Sequence, residues 1–122
     1  MSAATVVDEF IAALCAPDLE AALELVTDDV VYDNVPIGSV EGPAGIRQVL
    51  GGFLASATGI DWVVHRQVAE GTTVMNERTD RFEMDGEWRE LPVMGVFEVT
   101  DGKISLWRDY FDMGALQRLM GA

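Results

Sequence analysis

The chain has little of the chemistry on which disulfide-linked and metal-binding proteins depend. Its 122 residues include one cysteine, Cys15, and one histidine, His65. One cysteine cannot form an internal disulfide, nor can it build a zinc site of several cysteines. A lone histidine does not anchor a metal either, and we expect His65 to be a structural or surface residue. The sequence therefore predicts no metal site and no cofactor.

Basic residues are also scarce. Lysine and arginine together number 8, against 21 aspartates and glutamates, which gives a formal net charge of −13. Binding to phosphates requires clustered basic side chains, and here they are scattered along the chain. We therefore expect neither nucleic acid nor an anionic membrane as a partner. A neutral small molecule would not be repelled by this acidic surface.

Long apolar runs are absent as well. No run approaches the roughly 20 residues that a membrane-spanning helix needs. Residues 1–4 carry neither the basic segment nor the apolar core of a secretion signal, so we expect a cytoplasmic protein. A chain of this length is expected to form a single domain, which we place at residues 1–122.

The first part of the chain shows the periodicity of helices. Apolar residues recur at helical spacing over residues 5–14 and again over residues 18–26. Gly42-Pro43 begins a third helix, because proline suits the first helical turn. A short strand is predicted at residues 29–32, between the second and third helices.

The second half changes to the alternation of β-strands. Two pairs, Asp85-Gly86 and Asp101-Gly102, are strong hairpin signals. The predicted strands cover residues 60–69, 72–84, 88–100 and 103–111, and a short helix follows at 113–120. Helices followed by an antiparallel meander predict an α+β domain. We expect a curved, mostly antiparallel sheet that is wrapped by the N-terminal helices into a cone with an internal pocket.

The strand at residues 72–84 carries charged residues on the face that should be buried. Side chains alternate along a strand, so Arg78 and Asp80 lie on the same face as Val74 and Phe82. Buried arginine and aspartate are rare unless they are paired. The pair is therefore either a structural ion pair or a catalytic one, and these two residues alone leave both possibilities open.

Two other strands add polar residues that suit a reaction. Tyr32 and Asn34 share one face of their strand, and Asp109 lies on the last strand between two aromatics of the same face. One guanidinium cannot neutralise two carboxylates in a dry pocket, so one carboxyl is expected to keep a proton while the other is ionised. A general acid and a general base then face one cavity. This set suits a strained ether such as an epoxide, whose oxygen is protonated while water attacks carbon.

The same residues occur in ordered blocks that resemble a known family. The blocks are Tyr32-Asp33-Asn34-Val35-Pro36, Asn76-Glu77-Arg78-Thr79-Asp80, Leu91-Pro92-Val93-Met94-Gly95-Val96-Phe97, Asp101-Gly102-Lys103-Ile104 and Trp107-Arg108-Asp109-Tyr110-Phe111-Asp112. Through them the chain is similar to the limonene-1,2-epoxide hydrolase family, within the cone-shaped fold named after nuclear transport factor 2. The likeness covers nearly the whole chain.

The resemblance implies a role for each candidate residue. In the family pattern, Asp109 is the base that acts on water, Asp80 is the acid that protonates the epoxide oxygen, and Arg78 bridges the two. Tyr32 and Asn34 hold the water. The implied reaction is the hydrolysis of a small hydrophobic epoxide to a vicinal diol in one step, without a cofactor. A terpene, an alicyclic and a lipid epoxide all remain open as substrates.

Two other functions remain open from the sequence. An isomerase or a polyketide cyclase of the same fold would use one aspartate as a base toward a carbon acid. A non-catalytic pocket would bind a hydrophobic ligand, although the burial of three charges without use argues against it. The distinguishing observation is contact of Arg78 with both Asp80 and Asp109 at the bottom of an enclosed pocket.

The strand at residues 88–100 predicts how the chain associates. Met94 and Val96 lie on one face, and Gly95 and Phe97 lie on the other, so both faces are largely apolar. The outer apolar face must be covered by something. We expect a homodimer that packs through the sheet, as the family resemblance also implies.

Overall fold

The structure is a computed structural model that describes residues 1–121. Two helices lead the chain, and four of the six strands follow the third helix, in agreement with the α+β prediction. In order, the elements are α1 (Ala3–Cys15), α2 (Leu19–Leu23), β1 (Val26–Asn34), β2 (Gly38–Glu41), α3 (Gly42–Ser56), β3 (Gly59–Glu70), β4 (Thr73–Met84), β5 (Glu87–Thr100), β6 (Lys103–Tyr110) and α4 (Met113–Leu119). None of the helices in this range has the length and apolarity needed to cross a membrane.

Local signals set the ends of the helices. Ser2 caps α1, because its hydroxyl oxygen accepts a hydrogen bond from the backbone N–H of Thr5 at 3.2 Å. Asp18 caps α2 in the same way, through the N–H of Ala21 at 3.0 Å. Such caps satisfy backbone donors that the first helical turn leaves unpaired. Pro43 lies in the first turn of α3, where its missing N–H costs nothing.

The region between α2 and α3 differs from the prediction. The second helix ends at Leu23, and Val26 begins β1 instead of extending the helix. Strand β1 is therefore longer than the predicted strand at residues 29–32, and the short strand β2 was not predicted. Both differences come from pairing within the sheet, since β2 pairs with β1 and β1 pairs with β6.

The six strands form one sheet in the order β2-β1-β6-β5-β4-β3. Strand β1 runs parallel to β6, and the other neighbours are antiparallel, so the mostly antiparallel prediction is confirmed. The predicted hairpins are present. Asp85 and Gly86 have φ angles of 54° and 74°, the left-handed values that a tight two-residue hairpin needs.

A β-bulge in β3 changes which side chains face the helices. The register between β3 and β4 shifts between Val64 and Arg66. Trp62 and Val64 belong to the core before the bulge, and Gln67 faces the buried Asn76 after it. Simple alternation would place Gln67 on the same face as His65, and it is wrong here, because the bulge inserts an extra residue.

The core fills the concave face of the sheet beneath α1. Trp107 of β6 is fully buried near its centre, and Phe10 of α1 meets the ring edge-on with centroids 5.0 Å apart. Phe97 of β5 lies parallel to the same ring at 6.1 Å. This packing fixes β5 and β6 against α1. A cavity remains where α3 and α4 face the sheet.

Candidate active site

The floor of the cavity rests on an arginine held between two aspartates. Arg78 on β4 donates from Nε to Oδ1 of Asp80 at 2.9 Å and from Nη2 to Oδ2 of Asp80 at 3.0 Å. The same Nη2 donates to Oδ2 of Asp109 on β6 at 2.9 Å. Arg78, Asp80 and Asp109 are 1%, 3% and 3% exposed. Three ionisable side chains therefore share one hydrogen-bonded cluster out of contact with bulk water.

The side chain of Arg78 passes over a glycine of β5 on its way from β4 to β6. Asn76 of β4 pairs with Gly95 of β5, and Gly95 pairs in turn with Asp109 of β6. A Cβ at Gly95 would overlap Nη1 of Arg78 and lie 2.9 Å from Oδ1 of Asp109. The missing side chain therefore leaves the space through which the guanidinium reaches from β4 to β6.

Two tryptophans complete the surroundings of the charges. Nε1 of Trp107 donates to Oδ1 of Asp109 at 3.0 Å. One oxygen of Asp109 is thus bound by Trp107 and the other by Arg78. The guanidinium carbon of Arg78 lies 5.2 Å from the ring centroid of Trp62, a cation–π distance. The charged cluster is therefore surrounded by rigid aromatic groups.

Tyr32 and Asn34 reach the site because β1 runs parallel to β6. This register places Tyr32 opposite Trp107 and Asn34 opposite Asp109. The Tyr32 ring stacks on Trp107 with centroids 4.0 Å apart and planes 15° from parallel. Burial raises the pKa of Tyr32, and the negative charge of Asp109 raises it further. The phenol therefore stays protonated and keeps its O–H as a hydrogen-bond donor.

The surroundings of the cluster raise the pKa values of both Asp80 and Arg78, with different consequences for their charge. Burial raises the pKa of Asp80 to about 6, against the opposing attraction of Arg78, and the charge of Asp109 adds to the rise. Burial acts to lower the pKa of Arg78, but Asp109 and Asp80 outweigh it, so the pKa lies above its ordinary value. Asp80 therefore changes protonation close to neutral pH, whereas Arg78 stays positive throughout.

The cavity above these residues has apolar walls and a polar floor. It encloses about 70 Å³. The polar residues that line it are Tyr32, Asn34, Asp80 and Asp109, and Arg78 lies behind the carboxylates. Ile37 also lines the cavity and is 61% exposed, which marks the opening to solvent. The apolar walls come mainly from α3, β5 and α4, with Val49, Leu50, Phe53, Leu91, Val93, Leu116 and Leu119.

Comparison with known proteins agrees with this geometry. A family model described as the limonene-1,2-epoxide hydrolase catalytic domain matches residues 1–120. The chain belongs to the limonene-1,2-epoxide hydrolase family. Its predicted membership is therefore confirmed.

Individual relatives agree at the levels of sequence and structure. Epoxide hydrolase EphG of Mycobacterium tuberculosis (strain ATCC 25618 / H37Rv) is 36% identical over 107 residues, which cover 88% of this chain and 71% of that protein. The structure of an M. tuberculosis LEH-like epoxide hydrolase has a TM-score of 0.82 at 35% identity, covering 98% of this chain and 92% of the other.

More distant structures show the fold alone. An NTF2-like protein of unknown function from Cytophaga hutchinsonii ATCC 33406 has a TM-score of 0.76 at 22% identity, covering 100% of this chain and 96% of the other. The cone-type fold that the sequence predicted is thus confirmed. Membership of the limonene-1,2-epoxide hydrolase family rests on the family match and on the two closer relatives.

The structure brings together all five residues that the sequence singled out. Tyr32, Asn34, Asp80 and Asp109 line one cavity, and Arg78 lies directly behind it. Within the described residues, no three His, Cys, Asp or Glu side chains form a group that could hold a metal ion. The catalytic roles that the family pattern assigns to the five residues remain predictions.

Sequence reasoning missed a second group of polar residues, which lies next to Arg78. Asn76 is 1% exposed, and its Oδ1 accepts a hydrogen bond from Nη1 of Arg78 at 3.0 Å. Strand alternation already placed Asn76 on the buried face beside Arg78, so the sequence alone could have identified Asn76 as part of the site. Gln67, which contacts Asn76, could not have been found in this way, because the bulge in β3 reverses the alternation before it.

Two other reactive side chains lie outside the cavity. His65 is exposed, and its Nε2 is 2.8 Å from Oγ1 of Thr79, which confirms the prediction of a surface or structural histidine. Sγ of Cys15 accepts a hydrogen bond from the backbone N–H of Trp62 at 3.2 Å. Burial raises the pKa of this thiol, which disfavours the reactive thiolate.

The space at Gly95 leads to a test of how the cluster is held. We expect Gly95→Ala to lower the free energy of unfolding by about 1–3 kcal/mol, because the added methyl group displaces Arg78 from a packed site. Gly52→Ala is the control, since a Cβ at this exposed position in α3 meets nothing within 4 Å. Urea unfolding of both variants measures the difference, and a Gly95→Ala protein as stable as the unmodified chain would contradict the packing argument.

Proposed function

We propose that this chain hydrolyses an epoxide to a vicinal diol, within one domain and without a cofactor. The observation that carries the proposal is the contact of Arg78 with both Asp80 and Asp109 at the floor of an apolar cavity. Family membership supports the same reaction class. A structural ion pair would require only one carboxylate, and it would not leave two carboxylates facing the cavity.

Asp80 is the proposed acid. An epoxide oxygen leaves carbon as an alkoxide unless a proton is supplied, and an efficient general acid has a pKa near the working pH. Burial raises the pKa of Asp80 to about 6, which meets this requirement. Both oxygens of Asp80 contact Arg78, so the carboxyl is held in one orientation toward the cavity.

Asp109 is the proposed base. Trp107 and Arg78 each bind one of its oxygens, which leaves further lone pairs for a water molecule in the cavity. Tyr32 and Asn34 lie beside it and supply a phenol and a carboxamide that hold this water. Asp109 takes a proton from the water while the water oxygen bonds to an epoxide carbon. In the same step, Asp80 gives its proton to the departing oxygen.

The cavity favours a particular kind of epoxide. Its walls are aliphatic and aromatic, and the charges are confined to the floor, so the rest of the substrate should be apolar and uncharged. We therefore propose an uncharged epoxide with an apolar body as the substrate class.

Removing either carboxylate tests the proposed roles. Asp80→Asn removes the proton donor and Asp109→Asn removes the base, while both keep the shape of the side chain. Each change is expected to lower kcat by roughly 10²-fold or more, the usual scale for general acid–base groups. The measurement is diol formation from a panel of cyclic and acyclic epoxides.

Asp29→Asn is the matched control for these two variants, because Asp29 is an exposed aspartate of β1 outside the cavity. It should leave turnover unchanged. If either cavity variant retains turnover within about threefold of the unmodified enzyme, the acid–base assignment is wrong.

We also propose that the enzyme is a homodimer that packs through the outer face of the sheet. Met94 and Tyr110 are adjacent in register on this face, and both are 47% exposed. Met75 and Val96 lie next to them and extend the apolar surface. A contiguous exposed patch of this kind usually marks an interface, and a two-fold axis would bury the same patch on both copies.

Light scattering at micromolar concentration tests the dimer. We expect twice the mass of one chain, and we expect Met94→Glu to give the mass of one chain, because two copies would bring like charges together in an apolar contact. The unmodified protein at the mass of a single chain would contradict the proposal.

A further inference from the structure

A line of hydrogen bonds runs from the charged cluster to the protein surface. Nη1 of Arg78 donates to Oδ1 of Asn76 at 3.0 Å, and Nδ2 of Asn76 donates to Oε1 of Gln67 at 3.1 Å. Nε2 of Gln67 then donates to Oδ1 of Asp8 on α1 at 2.9 Å. The line thus connects β4, β3 and α1, and it ends at an exposed carboxylate.

The two ends of this line fix the orientation of both amides. A guanidinium can only donate hydrogen bonds, and an ionised carboxylate can only accept them. Asn76 must therefore turn its oxygen toward Arg78 and its nitrogen toward Gln67. Gln67 must turn its oxygen toward Asn76 and its nitrogen toward Asp8. The donors and acceptors along this line therefore fit in one orientation only. Flipping either amide would place two donors or two acceptors against each other.

Asn76 also holds Arg78 without adding charge. The guanidinium already shares one positive charge between Asp80 and Asp109. Its third nitrogen, Nη1, is bound by the neutral oxygen of Asn76, so the charge remains available to the two carboxylates. Because Asn76 is 1% exposed, leaving either end of its amide unpaired would be costly, and Gln67 prevents this.

We propose that Asn76, oriented by Gln67, is a positioning residue that holds Arg78 between Asp80 and Asp109. Neither amide residue lines the cavity, so they act through Arg78 and not on the substrate. The catalytic consequence rests on the proposed epoxide hydrolysis. The role of Asn76 in holding Arg78 does not rest on that reaction, because the titration of the carboxylates can be measured without a substrate.

The relevant readout is the titration of Asp80. The charged and titratable groups that act on this carboxyl are Arg78 on the same strand, Asp109 on β6, Tyr32 on β1 and Cys15 on α1. A substitution at Gln67 or Asn76 by leucine alters none of them. A change in the titration of Asp80 would therefore report a change in how closely Arg78 is held.

The test compares Gln67→Leu and Asn76→Leu with the unmodified protein by ¹³C NMR of the aspartate carboxyl carbons over pH. We expect the Asp80 midpoint to rise by roughly half a pH unit or more in each variant, because a looser Arg78 attracts the carboxylate less. We also expect kcat for diol formation to fall by about tenfold, with KM nearly unchanged, since misplacement of the cluster affects the reaction and not the walls of the cavity.

Gln48→Leu on the exposed face of α3 is the matched control and should change neither quantity. Gln67 is only partly buried, so its variant tests the proposal even if Asn76→Leu does not fold. An unchanged Asp80 midpoint in folded Gln67→Leu would overturn the positioning role. If the unmodified protein opens no epoxide but the midpoint still shifts, the proposed function fails and the positioning role stands.

Discussion

Arg78 must satisfy two buried carboxylates at once, and much of the structure around it follows from that requirement. Burying three ionisable side chains is costly unless their geometry is close to ideal and the remaining hydrogen-bonding groups are satisfied. The chain meets this condition with a bidentate contact to Asp80, a single contact to Asp109 and a neutral acceptor at Asn76. Gly95 leaves the space in which these contacts are made.

The same burial that makes the cluster costly also changes how its side chains titrate. Withdrawal from water raises the pKa of Asp80 toward neutral pH, while Arg78 remains positive between the two aspartates. One fold feature therefore places two carboxylates at a single cavity, and we propose that one donates a proton and the other accepts one. Trp107 links the site to the hydrophobic core, because it packs against Phe10, stacks on Tyr32 and donates a hydrogen bond to Asp109.

Strand alternation was sufficient to predict the main part of the site. It placed Arg78 and Asp80 on the buried face, and it grouped Tyr32 with Asn34, because β4 and this end of β1 are regular strands. It could not predict features that depend on pairing between distant segments. The parallel pairing of β1 with β6, the short strand β2 and the bulge that turns Gln67 toward Asn76 are set by the assembled sheet and not by local sequence.

In the proposed mechanism the bridged carboxylates only move protons, and neither bonds to the substrate carbon. A single turnover with enzyme in excess, in water enriched in ¹⁸O, tests this most directly. Direct attack by water, with Asp109 as the base, predicts a diol that carries one ¹⁸O atom from the first turnover. If the first diol is unlabelled and ¹⁸O enters the carboxylate of Asp109 instead, that residue is a nucleophile and the account is contradicted.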